Sequence, residues 1–210
     1  MSTPPVEAKA WWRSYKKANI VARDVEKVSI KALQGVNRMK AATVSIADFN
    51  KNIVYRATVY HKRGTFLVNS YTIKCNGFKD RSLENGKPLA VVSSEVAEIL
   101  MDKLVVTCAG ENDFRSLDLD VSAFDKFGLH EYYKRQHAEL EDDLQSMSLR
   151  DIYFMHFEQD IQRATHAADK DAISAMRIFA GGYVLAAKGT SRNEVREMLF
   201  TTASLNQEIK

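Results

Sequence analysis

Residues 43–75 read TVSIADFNKNIVYRATVYHKRGTFLVNSYTIKC, the strongest β-signal in the chain. β-Branched and aromatic side chains crowd residues 53–60 and 65–73, as suits half-buried pleated strands. Between them lies His61-Lys62-Arg63-Gly64, whose glycine can take the positive φ that a short loop needs. A hairpin over 53–73 is therefore expected. One face gathers Ile53, Tyr55, Ala57, Val59, Phe66 and Val68 for a core. The other carries Val54, Arg56, Thr58, Tyr60, Leu67, Asn69 and Tyr71, and Lys62 and Arg63 extend it at the turn. Rings that stack on bases beside cations that meet phosphates make a nucleic-acid platform. The same composition also suits an ordinary second face beneath helices, and a one-residue slip would exchange the faces.

Upstream, Trp11, Tyr15, Ala18, Ala22, Val25, Val28, Ala32, Val36 and Met39 recur in steps of three and four, which predicts a helix. Arg13, Lys16, Lys27, Lys31 and Arg38 fall on its opposite side with Asp24 as the one acid there. Such a basic amphipathic helix can pack on a sheet, lie along phosphates, or rest on an anionic membrane through Trp11 and Trp12. Downstream, residues 76–88 hold two Asn-Gly steps and a proline, so they read as a loop, and they add Lys79, Arg81 and Lys87. A short strand over Leu89–Val92, a helix over Glu95–Lys103, a buried strand over Leu104–Cys108 and an alternating strand over Phe114–Val121 follow.

After Phe124 the periodicity is helical. The apolar sets are Tyr133, His137, Leu140 and Leu144; then Leu149 to Ala164, capped by Ser148; then Ile173 to Val184; and a last short helix opens on the Ser191/Glu194 capping pair. The expected class is α+β: a basic N-terminal helix, a central, mostly antiparallel sheet of about four to six strands, and a C-terminal region of three or four helices. The expected organisation is a tail over 1–5, the helix over 6–40, a β-rich core over 41–123 and a helical region over 124–205.

Charge supplies the functional lead. Residues 1–90 hold 17 Lys and Arg against 6 Asp and Glu, whereas the remainder holds 13 against 21. Such asymmetry points to a polyanionic partner or to contact between opposite halves. Cys75 and Cys108 read as free thiols. No signal peptide or membrane-length apolar run is seen, so an intracellular, cytoplasmic location is expected.

Catalytic and metal motifs fail on spacing. His130 and His137 are seven apart where a zincin needs four. The Asp118-x-Asp120-x-Ser122 start of a calcium loop lacks its glycine and its final glutamate. No phosphate loop, dinucleotide loop or nucleophile elbow is present. Pairs such as His137/Glu141 and His156/Asp160 are the residual enzymatic option, with no further signal.

The resulting expectation is a non-enzymatic, largely sequence-independent nucleic-acid-binding protein that self-associates. Its contacts would be Arg13, Lys16, Lys27, Lys31, Arg56, Tyr60, Lys62, Arg63, Tyr71, Lys79 and Arg81, with RNA or single-stranded DNA held through residues 9–87. No cofactor, metal or catalytic residue is expected. The alternatives are a structural assembly protein of the coat, matrix or nucleoprotein kind, and an enzyme whose site carries no motif.

Overall fold

The computed structural model describes residues 11–31, 38–136, 144–162 and 165–187. Five strands form the central sheet: β1 (Ile20–Ile30), β2 (Arg38–Asp48), β3 (Ile53–Thr58), β4 (Leu104–Thr107) and β5 (Asp125–Gly128). Their spatial order is β3-β2-β1-β4-β5. β2 runs antiparallel to β1 and β3 antiparallel to β2, while β4 lies parallel to β1 and β5 parallel to β4. A separate two-stranded sheet pairs β6 (Lys134–Gln136) with β7 (Leu144–Ser146). The helices are α1 (Ser70–Asn76), α2 (Leu89–Leu100), α3 (Glu111–Ser116), α4 (Leu129–Tyr132), α5 (Leu149–Phe157) and α6 (Ala168–Ala187). The α+β expectation, with a central sheet and helices towards the C-terminus, holds.

The sheet is covered on both faces. On one side Ile20, Ala22, Leu104, Val106 and Phe127 pack against Ile152 and Tyr153 of α5 and Ala175, Met176 and Phe179 of α6. On the other, Val21, Val25, Val44, Ile46 and Val105 pack against Val92, Val96 and Leu100 of α2 and Phe114 of α3. Double coverage makes strands apolar on both faces, so alternation fades.

That is the physical reason the expected N-terminal helix is wrong. Residues 20–30 are β1, although their apolar residues also fit helical steps. Ile20, Val21, Val25, Val28 and Ile30 are β-branched and stiff, and pairing with β2 and β4 on both sides satisfies the backbone. Trp12 is buried in the core, 5.2 Å centroid to centroid from Phe127, so it is not a membrane anchor.

The 53–73 hairpin is also revised. β3 pairs with β2, and the tight turn is at residues 49–52, where Lys51 takes φ +71°. The Val59 N–H still donates to Ala42 O of β2 at 2.8 Å, and beyond it the chain leaves β2. Phe66 bridges to Ile30, and the Leu67 N–H donates to Ser29 O at 2.9 Å, so residues 65–67 add to β1. Gly64 does take positive φ, at +78°. Tyr71 lies in α1, a helix and not a strand.

Two further segments differ. Leu89–Val92 opens α2, and Phe114 lies in α3, where residues 111–116 follow β4 as a short helix. The strand Leu104–Thr107, the Ser148-capped α5 and the long α6 are as expected. Tyr133 and Leu144 are drawn into or beside the β6–β7 ladder, so they do not share a helix. His137, Glu141 and the expected helix after Ser191 lie outside the described residues.

Candidate active site

β1 extends beyond the end of its parallel neighbour β4, whose pairing stops at Ala22↔Val106. Residues 23–27 therefore face the place where the chain leaves β4 and enters α3. Crevices at the carboxyl ends of parallel strands are the usual ligand sites of such sheets. The alternation of a strand sends Asp24 and Glu26 to the same face as Ile20 and Ala22, the face α6 covers. Arg23 and Lys27 point to the α3 side.

Four acids meet here. Asp24 is held well above the ordinary carboxylate range, first by burial and then by the charges of Asp113, Asp171 and Glu26. Glu26 is pushed up to about 7 by burial, and then by Asp171 and Asp113 against the pull of Lys27. Asp171, in the first turn of α6, is raised chiefly by burial. The Cys108 thiol, at the end of β4, is pushed up to about 12 by burial and by Asp24, Asp113 and Asp171. Carboxylates this close disfavour one another's ionisation.

The oxygens of Glu26 and Asp171 and a ring nitrogen of His166 all lie within 4.8 Å of one another. Two unit charges at that separation repel by about 3–4 kcal/mol at an effective dielectric of ~20. Asp171 is 3% exposed; its Oδ2 accepts from Gln162 Nε2 at 2.9 Å, and His166 Nδ1 stands 3.6 Å away. Its Oδ1 is buried with no hydrogen-bond partner. A buried, unsatisfied carboxylate oxygen is costly and marks a place for a ligand. Hard carboxylate oxygens suit a divalent cation such as Mg2+ or Mn2+, with the imidazole standing beside them.

Asp113 is arranged differently. Lys27 Nζ donates to its Oδ1 at 2.6 Å, and Arg23 Nη2 stands 3.7 Å from its Oδ2. The Arg23 guanidinium, 1% exposed, sits 3.7 Å over the Phe114 ring and donates to Gly110 O at 3.0 Å. Burial lowers Arg23 to about 10, which leaves it cationic at neutral pH. Gly110 is required: a Cβ there would come within 2.5 Å of the Thr107 side chain, so only glycine lets α3 turn this tightly off β4.

The basic residues expected to bind nucleic acid are only partly gathered. Lys31, Lys62, Arg63, Lys79 and Arg81 are all exposed. Lys31 N–H bonds Thr65 O at 2.8 Å, His61 N–H bonds Leu83 O at 3.2 Å, and Arg63 Nε stands 3.9 Å from Asp80. The 60–65 turn and the 79–87 loop thus lie together at the far end of β1, with exposed Tyr60 between them, bonded through its N–H to Lys87 O at 2.7 Å. Lys16 precedes the start of β1 and is removed from that group by the length of the strand, roughly 35 Å. Arg56 is the neighbour of Ser45, itself opposite Asp24, and it pairs with Asp169 near the start of α6. Lys27 is at the acid cluster, where sequence placed it on a solvated helix face. The side chains of Arg13 and Tyr71 lie outside the described set.

Sequence motifs mark none of the cluster's acids as functional. The signal is present in Asp24-x-Glu26 within a β-branched run, and in His166 five residues before Asp171 at a helix start. His156 and Asp160 do not form a site. The His156 ring bonds the Tyr133 hydroxyl at 2.9 Å, and Asp160 accepts from Arg150 at 2.7 Å.

With this geometry in view, the likeness to solved structures is informative. The chain superposes on the Saccharomyces cerevisiae Pan2 pseudoubiquitin hydrolase–RNA exonuclease module in complex with AAGGAA RNA with a TM-score of 0.69, at 19% identity, covering 92% of this chain and 32% of that one. It superposes on S. pombe Pop2p, in a form with Mg2+ and Mn2+ bound, with a TM-score of 0.55 at 15% identity, covering 78% and 82%. This chain shares their fold. In sequence it is 30% identical over 139 residues to RNA exonuclease 4 of Homo sapiens, taking in 66% of this chain and 32% of the relative. RNA exonuclease 4 of Xenopus tropicalis is 30% identical over 159 residues, taking in 76% and 36%. The chain thus spans about a third of the length of these curated relatives. No family model matches it.

These likenesses overturn the expectation of a non-enzymatic binding or structural assembly protein. The proteins similar in sequence are RNA exonucleases, and the acid cluster is an arrangement that binding alone does not need. The leaning against an enzyme falls with it. Among the described residues no helix is long and apolar enough to cross a membrane.

Proposed function

We propose that this chain is a divalent-cation-dependent RNA exonuclease domain, with Asp24, Glu26, Asp113, Asp171 and His166 as its catalytic centre. The observation that carries the reading is the convergence of these residues from β1, α3, α6 and the segment just before α6, with Asp171 Oδ1 buried and unsatisfied. Asp24, Glu26 and Asp171 would hold the cation, whose chemistry is to lower the pKa of a bound water and to neutralise charge on a phosphoryl group. His166, with a side chain 39% exposed beside Asp171, is placed to take the proton from an attacking water. Arg56, anchored by Asp169 on the same side of the sheet, is placed to meet a phosphate of the RNA. The surface of Lys31, Lys62, Arg63, Lys79 and Arg81 begins about 17 Å along β1 from Glu26, within reach of a strand a few nucleotides long. The similarity to RNA exonuclease 4 and the RNA-bound Pan2 structures support RNA as the substrate class.

The test is a time course on linear and circular RNA of the same sequence with Mg2+ or Mn2+. Progressive shortening of the linear RNA, its arrest by EDTA, and an intact circle are expected. Cutting of the circle would replace the exonuclease reading with an endonuclease one. Intact linear RNA with either cation would overturn the proposal.

A further inference from the structure

Resting on that reading, we infer that Asn76 is a positioning residue for the reaction: its side chain ties the end of α1 to β1 beside Glu26, and the end of α1 in turn holds His166. Glu26 and His166 reach the centre in different ways. Glu26 rides on β1, with the ladder to β2 behind it. Residues 165–167 lie in no helix or strand, so His166 is held by contacts from outside its own segment. One is its ring beside Asp171, at 3.6 Å. The other is made by its backbone, whose N–H donates to Cys75 O. The last carbonyls of a helix have no partner within it, and α1 ends at Asn76, so Cys75 O is among those left to accept.

Three features fix where that carbonyl stands. Gly77 takes φ +71° directly after α1, and its N–H returns to Ile73 O at 3.0 Å, which closes the helix in the left-handed way glycine favours. A Cβ on Gly77 would come within 3.3 Å of Thr165 Cγ2, so the turn is pressed against the residue before His166. The third feature is Asn76. Its Oδ1 accepts from the Phe78 N–H at 3.2 Å, and its Nδ2 donates to Lys27 O at 3.2 Å. The strand explains why the Lys27 carbonyl is available. β4 pairs with β1 only as far as Ala22, and the segment at 65–67 takes up the same edge from Ser29 onward. Lys27 O falls in the gap between them, where a backbone carbonyl needs a partner from elsewhere. Asn76 supplies it, and so couples the acid-bearing stretch of β1 to the carbonyl that holds His166.

The test is a double-mutant cycle on the whole chain, read as kcat and KM for shortening of linear RNA. Asn76→Ala should lower kcat on the order of 10-fold or more and leave KM unchanged, since misplacing a catalytic group by about 1 Å is enough for that. Asn76→Asp keeps the acceptor for the Phe78 N–H and lacks the donor to Lys27 O. It should lose kcat as well, and it carries the test if Asn76→Ala does not fold. In a His166→Ala background both substitutions should cost little further, because the residue they position is gone. Wild-type kcat in the Asn76 variants, a change in KM alone, or the same fold-loss with and without His166 overturns the inference and leaves the exonuclease reading standing. If wild type leaves linear RNA intact, that reading falls and this inference falls with it.

Discussion

In the proposed site, Asp24, Glu26 and Asp171 trade stability for the work assigned to them. Each is raised from its ordinary value first by burial, so its ionised form is held at a cost to the fold. Neutralising one should therefore stabilise the cation-free protein while removing activity, the trade-off expected of a strained site. Asp171→Asn should raise cation-free unfolding stability in urea titrations and cut RNA shortening by on the order of 100-fold or more. A variant both less stable and equally active would refute the assignment of Asp171. At this scale the sequence was legible only in part. Asp24 and Glu26 stand two apart, a same-face signal once residues 20–30 are a strand; taken as a helix, they point to different sides. Asp113 and Asp171 come from remote helices, and nothing local to either marks it as a partner of β1.

At the scale of elements, local chemistry predicted what local chemistry controls. The Ser148 side chain accepts from the Asp151 N–H at 3.1 Å and starts α5 as its cap pattern implies. Ser148→Ala should cost about 1 kcal/mol of unfolding stability and leave RNA turnover unchanged. α5 also carries a titration signal. His156 is lowered to about 4 by burial, below the ~6.5 of a free imidazole. The unfolded chain binds this proton first as pH falls, so the stability held by neutral His156 is complete above about pH 6.5 and is lost towards pH 4. Between pH 7 and pH 4 wild type should lose about 2–3 kcal/mol more than His156→Gln in chemical unfolding, and equal losses would contradict it. α3 shows where local reading ends. Phe114, Leu117, Leu119 and Val121 resemble an alternating strand, but Gly110 brings the chain against Thr107 and residues 111–116 turn into a helix against the sheet. Gly110→Ala should displace α3, cost about 1–3 kcal/mol, and lower turnover through Asp113.

For the whole molecule, charge asymmetry was real but its meaning was not in the count. The basic half supplies two kinds of cation: Lys27, Arg23 and Arg56 bound to acids around the proposed catalytic centre, and an exposed group at the far end of β1. Removing Lys62, Arg63, Lys79 and Arg81 together should weaken RNA binding. It should also flatten the dependence of log affinity on log salt by up to about 0.7 for each phosphate no longer neutralised, with turnover of saturated RNA unchanged. The central claim is that one carboxylate cluster makes this fold an RNA-shortening enzyme. The most direct measurement is the rate at which 5′-labelled linear RNA shortens in Mg2+ with wild type and with Asp24→Asn, both confirmed folded and both bound to the RNA. The account predicts stepwise shortening by wild type and an intact, still-bound RNA with Asp24→Asn. Equal shortening by both, or none by wild type, would contradict it.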